Sequence, residues 1–100
     1  MAAKEPLIPF SKYDVDHVIA DLEAIRRCNP QRFEIEQLTA VVFEDFESRT
    51  IVGYVDTSLD DFWVRGHMPG MPLMPGVLMC EAAAQLASYF VQKNDILGCE

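Results

Sequence analysis

One hundred residues, half of them apolar, suffice for one small domain with a core, and the length gives no reason to expect two. A formal net charge of -8, with Arg26-Arg27 as the longest basic patch, excludes general nucleic-acid binding, which needs clustered Lys and Arg to displace counterions from phosphates. Cys28, Cys80 and Cys99 form no CxxC pair, and Met1–Phe10 has no apolar run of signal-peptide length, so free thiols in a soluble, cytoplasmic protein are expected.

Residues 1–12 contain Pro6 and Pro9 and read as an extended lead-in. From Asp14, the apolar residues Val15, Val18, Ile19, Leu22 and Ile25 recur at helical spacing, with Asp14 and Asp16 at the start and Arg26-Arg27 at the end to suit the helix dipole. Asn29-Pro30 stops this helix, because a residue before proline avoids helical geometry. Residues 33–46 read as extended, with Thr39–Phe43 rich in β-formers, and Arg49–Thr57 reads as a second strand joined by a hairpin through Glu47-Ser48. Phe62 and Trp63 fall in a connecting turn.

Gly66 to Gly76 holds three prolines and three glycines, a density that no helix or paired strand survives, so an ordered loop is expected. Pro75 suits the first position of a helix that then runs to about Lys93. That helix is apolar on nearly every side, which predicts burial. Its polar residues Glu81, Gln85, Ser88 and Gln92 form one narrow stripe, which either faces water or sets a carboxyl group in apolar surroundings. The stretch Met68–Phe90 carries Glu81, three prolines and two glycines, so no membrane span is expected.

The segment from Gly66 to Gln85, GHMPGMPLMPGVLMCEAAAQ, closely resembles the signature of 3-hydroxyacyl-[acyl-carrier-protein] dehydratases of the FabZ/FabA type. Among its fixed positions only Met68 departs, where phenylalanine is usual. Upstream, Asp21–Phe33 resembles the family's leading helix and its Pro-His-Arg-Tyr-Pro-Phe segment, with Gln31, Phe33 and Glu34 departing from that pattern. The resemblance covers residues 21–93. It implies an α+β hotdog fold, a long central helix wrapped by an antiparallel sheet, over residues 21–100, with 1–20 as an N-terminal extension. The further strands of that fold are expected to be absent from a chain ending at Asp95–Glu100.

Removal of water from a 3-hydroxyacyl thioester needs a base for the C2 proton, an acid for the departing hydroxyl and a donor for the thioester oxygen. The resemblance implies His67 as the base and Glu81 as the group that handles the leaving water. A carboxyl group among apolar neighbours favours its protonated form and can deliver a proton. The Gly76 N–H, at a helix N-terminus, suits the thioester oxygen, and Gln85 stands one turn from Glu81 and can orient it. The family places the two catalytic residues on opposite subunits, so a homodimer or higher homo-oligomer is implied. Its acyl group arrives on the phosphopantetheine of an acyl carrier protein, with no metal or other cofactor.

Other residues read more simply. His17 is expected to be exposed and Cys80 to be a buried structural thiol. Met68, Met71, Met74 and Met79 either pack or line an acyl tunnel. Arg26, Arg27, Arg32, Arg49 and Arg65 are expected as solvated charges, with docking of an acidic carrier as the functional reading. Two alternative functions stand beside the dehydratase: a hydratase or dehydratase acting on coenzyme A thioesters, and a non-catalytic hotdog subunit that dimerises or binds acyl chains.

Overall fold

A computed structural model of the chain describes residues 7–95; Pro6 of the expected lead-in and Cys99 lie outside the described residues. Phe10–Lys12 makes one 3-10 turn. The helix expected from Asp14 begins eight residues later, as α1, Leu22–Cys28. Asp14 accounts for the difference, since its Oδ1 accepts the Asp16 N–H at 2.9 Å and its carbonyl accepts the His17 N–H, a local turn that competes with helix. The chain then extends, and Ala20 bridges to Val41 through bonds in both directions. Asp21 is the true N-cap, its Oδ1 accepting the Ala24 N–H at 2.9 Å, with Glu23 in the first turn and Arg26 and Arg27 in the last. Val15, Val18 and Ile19 are consequently exposed rather than buried along a helix.

After α1, Phe33–Ile35 forms a 3-10 turn instead of the expected extended chain, and Phe33 adopts a φ of 58°. Strand β1, Ala40–Asp45, pairs antiparallel with β2, Thr50–Tyr54, with an irregularity between Val41 and Phe43. The turn at 46–49 closes the hairpin as expected, with Arg49 at a φ of 56°. Pairing stops at Tyr54, short of the expected Thr57, although the Asp56 N–H still reaches Thr39 Oγ1 at 2.8 Å.

Helix α2, Gly76–Lys93, packs on α1 and β2. Pro75 stands at its N-cap, one position before the first helical residue. Ala20, Ile25, Leu38, Val41 and Tyr89 form the core, with Ala24, Cys28, Ile51 and Leu86 against it. The expectation of a helix buried all round is corrected. Only Gln85, Tyr89 and Phe90 of α2 are buried, because two strands and a short helix cover one face. The polar stripe does not simply face water either, for Gln85 is the most deeply buried residue of the helix while Gln92 is exposed. A long helix laid on antiparallel strands is the α+β arrangement of a hotdog fold. No helix among the described residues is long and apolar enough to cross a membrane.

Candidate active site

The loop 66–75 is held by its own backbone. Met68 and Met71 exchange N–H to carbonyl bonds of 3.0 and 2.9 Å around Gly70, whose φ of +77° is a conformation that glycine adopts without strain. The His67 N–H donates to the Trp63 carbonyl at 2.9 Å, and the Leu73 N–H donates back to the His67 carbonyl at 2.8 Å. The exposed imidazole is fixed by the same pairing, its Nδ1 lying 2.8 Å from the Leu73 carbonyl. A carbonyl only accepts, so Nδ1 carries the hydrogen in the neutral ring and the lone pair belongs to Nε2. The ring thus presents a base with one defined atom.

Glu81 is half-buried on α2, one turn before Gln85. Gln85 is 2% exposed and all four hydrogen-bonding positions of its amide are filled. Nε2 donates to Glu81 Oε2 at 2.9 Å and to the Ile35 carbonyl at 2.7 Å. Oε1 accepts the backbone N–H groups of Gln37 and Leu38 at 2.9 and 3.2 Å. The carboxyl group is therefore oriented by an amide that is itself locked to the 35–38 segment. Gly76 opens α2 and is exposed; a Cβ there would meet nothing within 4 Å, and the first N–H groups of a helix have no intrahelical partner.

His67 and Glu81 share no hydrogen bond within the chain; one is tied to the loop and the other to α2. A groove of about 570 Å³ between Phe33, Leu38, Phe62 and Trp63 contains neither residue. Its carboxylates, among them Glu34, Asp56 and Asp60, suit it poorly to an anionic ligand. Among the described residues no three His, Cys, Asp or Glu side chains gather as a metal site requires.

Apart from Gln85, the groups that position the site were not found from sequence. The Leu73 carbonyl and the N–H groups of Gln37 and Leu38 are backbone atoms, which carry no residue signature. Asn29 reads in sequence only as a helix stop, yet it is buried and its Nδ2 donates to the Gln85 carbonyl at 2.9 Å. Arg26 is no solvated charge: its Nε and Nη2 hold Glu36 at 2.7 and 2.8 Å. The guanidinium keeps the Glu36 carboxyl below its ordinary range, and Glu36 in turn raises Arg26. Arg32 donates to the carbonyls of Asn29 and Gln31, and Arg49 lies 4.2 Å from the centre of the Phe46 ring. Cys80 is exposed, against expectation, because it lies on the face of α2 that nothing covers; Cys28 is half-buried against the core. His17 is exposed as expected; Met68, Met71 and Met79, expected to pack or to line a tunnel, are exposed, and Met74 is half-buried.

Residues 29–98 match the FabA-like domain, a span that takes in the 66–76 loop, α2 and the whole Gln85 network. The chain belongs to the FabA-like family. Among its FabA-like relatives, the 3-hydroxyacyl-[acyl-carrier-protein] dehydratase FabZ of Francisella philomiragia subsp. philomiragia is 36% identical over 75 residues. That alignment covers 75% of this chain and 46% of the relative. The protein of the same name from Francisella tularensis subsp. novicida is 35% identical over the same share of each. This FabA-like chain thus spans about half the length of the curated relatives it matches.

Proposed function

We propose that the chain acts in the dehydration of 3-hydroxyacyl-[acyl-carrier-protein] to the trans-2-enoyl thioester in fatty-acid biosynthesis, a reaction carried out in the cytoplasm. The observation that carries this reading is the imidazole of His67, held through Nδ1 by the Leu73 carbonyl so that Nε2 is the base. Nε2 of His67 takes the C2 proton, and the C–H electron pair becomes the new C2–C3 double bond. The Glu81 carboxyl group, oriented by Gln85, delivers a proton to the 3-hydroxyl, which leaves as water. The Gly76 N–H polarises the thioester carbonyl as charge develops on its oxygen. Solvent then carries the proton from His67 back to Glu81. The reaction is redox-neutral and draws on no cofactor beyond the phosphopantetheine of the carrier protein.

The site is completed between subunits of a homodimer or higher homo-oligomer, His67 of one working with Glu81 of the other. The absence of a hydrogen bond between them within one chain supports this arrangement. The hotdog domain covers 21–100, with 1–20 as an extension whose last residues, Ile19-Ala20, add to the edge of β1. The test follows the ultraviolet absorbance of a short 2-enoyl thioester during hydration, offered on carrier protein and on coenzyme A in parallel. Folded His67→Ala is expected to lose about 10²–10⁴ of the rate. Faster turnover on the carrier supports the dehydratase, faster turnover on coenzyme A replaces it, and no turnover by a folded, dimeric wild type removes the enzyme reading.

A further inference from the structure

Two buried acceptors beside the Gln85 network receive no hydrogen bond from the described residues: Asn29 Oδ1 and Gln31 Oε1. Both residues line a cavity of about 10 Å³ whose walls include Arg26, Glu36 and Gln85. Asn29 is 4% exposed, and its amide is not free to turn over. Its Nδ2 donates to the Gln85 carbonyl at 2.9 Å, and a flip would set oxygen against oxygen there. Two acceptor oxygens cannot satisfy each other, and buried polar atoms left without a partner are rare because they lose their hydration for nothing. What resolves the pair must bring two donors in the space of one very small molecule. Water has two O–H groups, and the cavity is about the size that admits a single molecule.

We infer that Asn29 and Gln31 form a binding site for one internal water that donates to both amide oxygens. The water joins Asn29 to Gln31 within the turn after α1, and Asn29 in turn donates to the Gln85 carbonyl on α2. Neither Asn29 nor Gln31 takes part in the proposed reaction, so the site is separate from the dehydratase chemistry. It stands whether or not the proposed activity does.

A crystal structure of the 100-residue chain at a resolution that shows ordered solvent tests the site directly. The expected result is one water about 2.7–3.2 Å from both Asn29 Oδ1 and Gln31 Oε1, lost in Gln31→Met and in Asn29→Leu. Three results overturn the inference. Gln31 can be found turned so that its Nε2 bonds Asn29 Oδ1 directly, the cavity can be dry, or its occupant can show the shorter contacts of a metal cation. The wild-type structure decides among these without either variant, so a variant that fails to fold changes nothing. In solution, oxygen-17 relaxation dispersion of the wild-type chain is expected to show a long-lived water that Gln31→Met removes; a signal identical in a folded variant contradicts the site.

Discussion

At the scale of single residues, Gln85 concentrates most of what is specific to this site. Its amide joins a catalytic candidate, Glu81, to three backbone groups of the 35–38 segment. Gln85→Leu would keep the volume but leave the N–H groups of Gln37 and Leu38 and the Ile35 carbonyl without partners. The expected loss is about 3 kcal/mol of stability, measured by urea unfolding, since each buried orphan costs roughly 1–3 kcal/mol and water reaches part of this segment. The Arg26–Glu36 pair makes a second prediction, on pH. Arg26 holds the Glu36 carboxyl below the ordinary glutamate value of 4.5, first through their hydrogen bonds. A depressed folded-state value means stability present above 4.5 and lost as the pH falls from there through the lower folded value. Glu36→Gln is therefore expected to lower the urea midpoint at pH 7 and to converge on the wild type as the pH approaches 3. A gap that persists undiminished at pH 3 would mean that the carboxylate's charge is not what stabilises the fold. His67 and Glu81 stood out as candidates because they lie in the glycine- and proline-rich segment that resembles the dehydratase signature. Asn29 was not, because whether an asparagine before proline is buried depends on what packs over it.

At the scale of elements, Gly53 controls how closely β2 can approach β1 and α2. A Cβ built there falls 2.8 Å from the Ala40 carbonyl oxygen and 2.9 Å from a methyl of each of Leu38 and Leu86. Backbone cannot yield as a side chain can, so Gly53→Ala is expected to cost about 2 kcal/mol, in the range for overpacked cores. A melting temperature unchanged from wild type would show that the helix sits farther from the sheet. The far end of α2 is secured separately. Lys93 and Asn94 both reach the Glu44 carboxylate of β1, and Phe46 stacks on Phe90. The first helix shows where periodicity misleads. Apolar spacing from Val15 to Ile25 fits one helix, but Asp14 closes a local turn, Ala20 finds a strand partner and Asp21 supplies the cap. Side-chain competition for backbone N–H groups overrode the pattern.

At the scale of the whole molecule, apolar surface is left over. Along α2, Val77 is 78% and Met79 55% exposed, and Met71 and Leu73 of the 66–75 loop are also exposed. Such a surface favours association. The proposed dimer is expected to appear in sedimentation as a species that grows between low and high micromolar concentration. Val77→Asp should weaken it by tenfold or more, since burying an unpaired carboxylate is costly. A wild-type chain that stays monomeric throughout would remove the shared-site arrangement.

The sequence by itself determined the family, the α+β class, the loop with His67 and the long helix with Glu81 and Gln85. The family and the class come from the resemblance of residues 66–85 to the dehydratase signature; the loop and the helix follow from local rules, since glycine and proline limit the backbone and helical periodicity sets which residues share a face. Only the tertiary structure decided which nitrogen of His67 carries the lone pair in the neutral ring, because that depends on the Leu73 carbonyl across the loop. It also decided that Gln85, not an apolar residue, lies deepest in α2, and that Asn29 and Arg26 belong to the site's support. Those facts rest on partners 6 to 56 residues away, and a hydrogen bond between separate segments leaves no periodic trace in the chain that makes it.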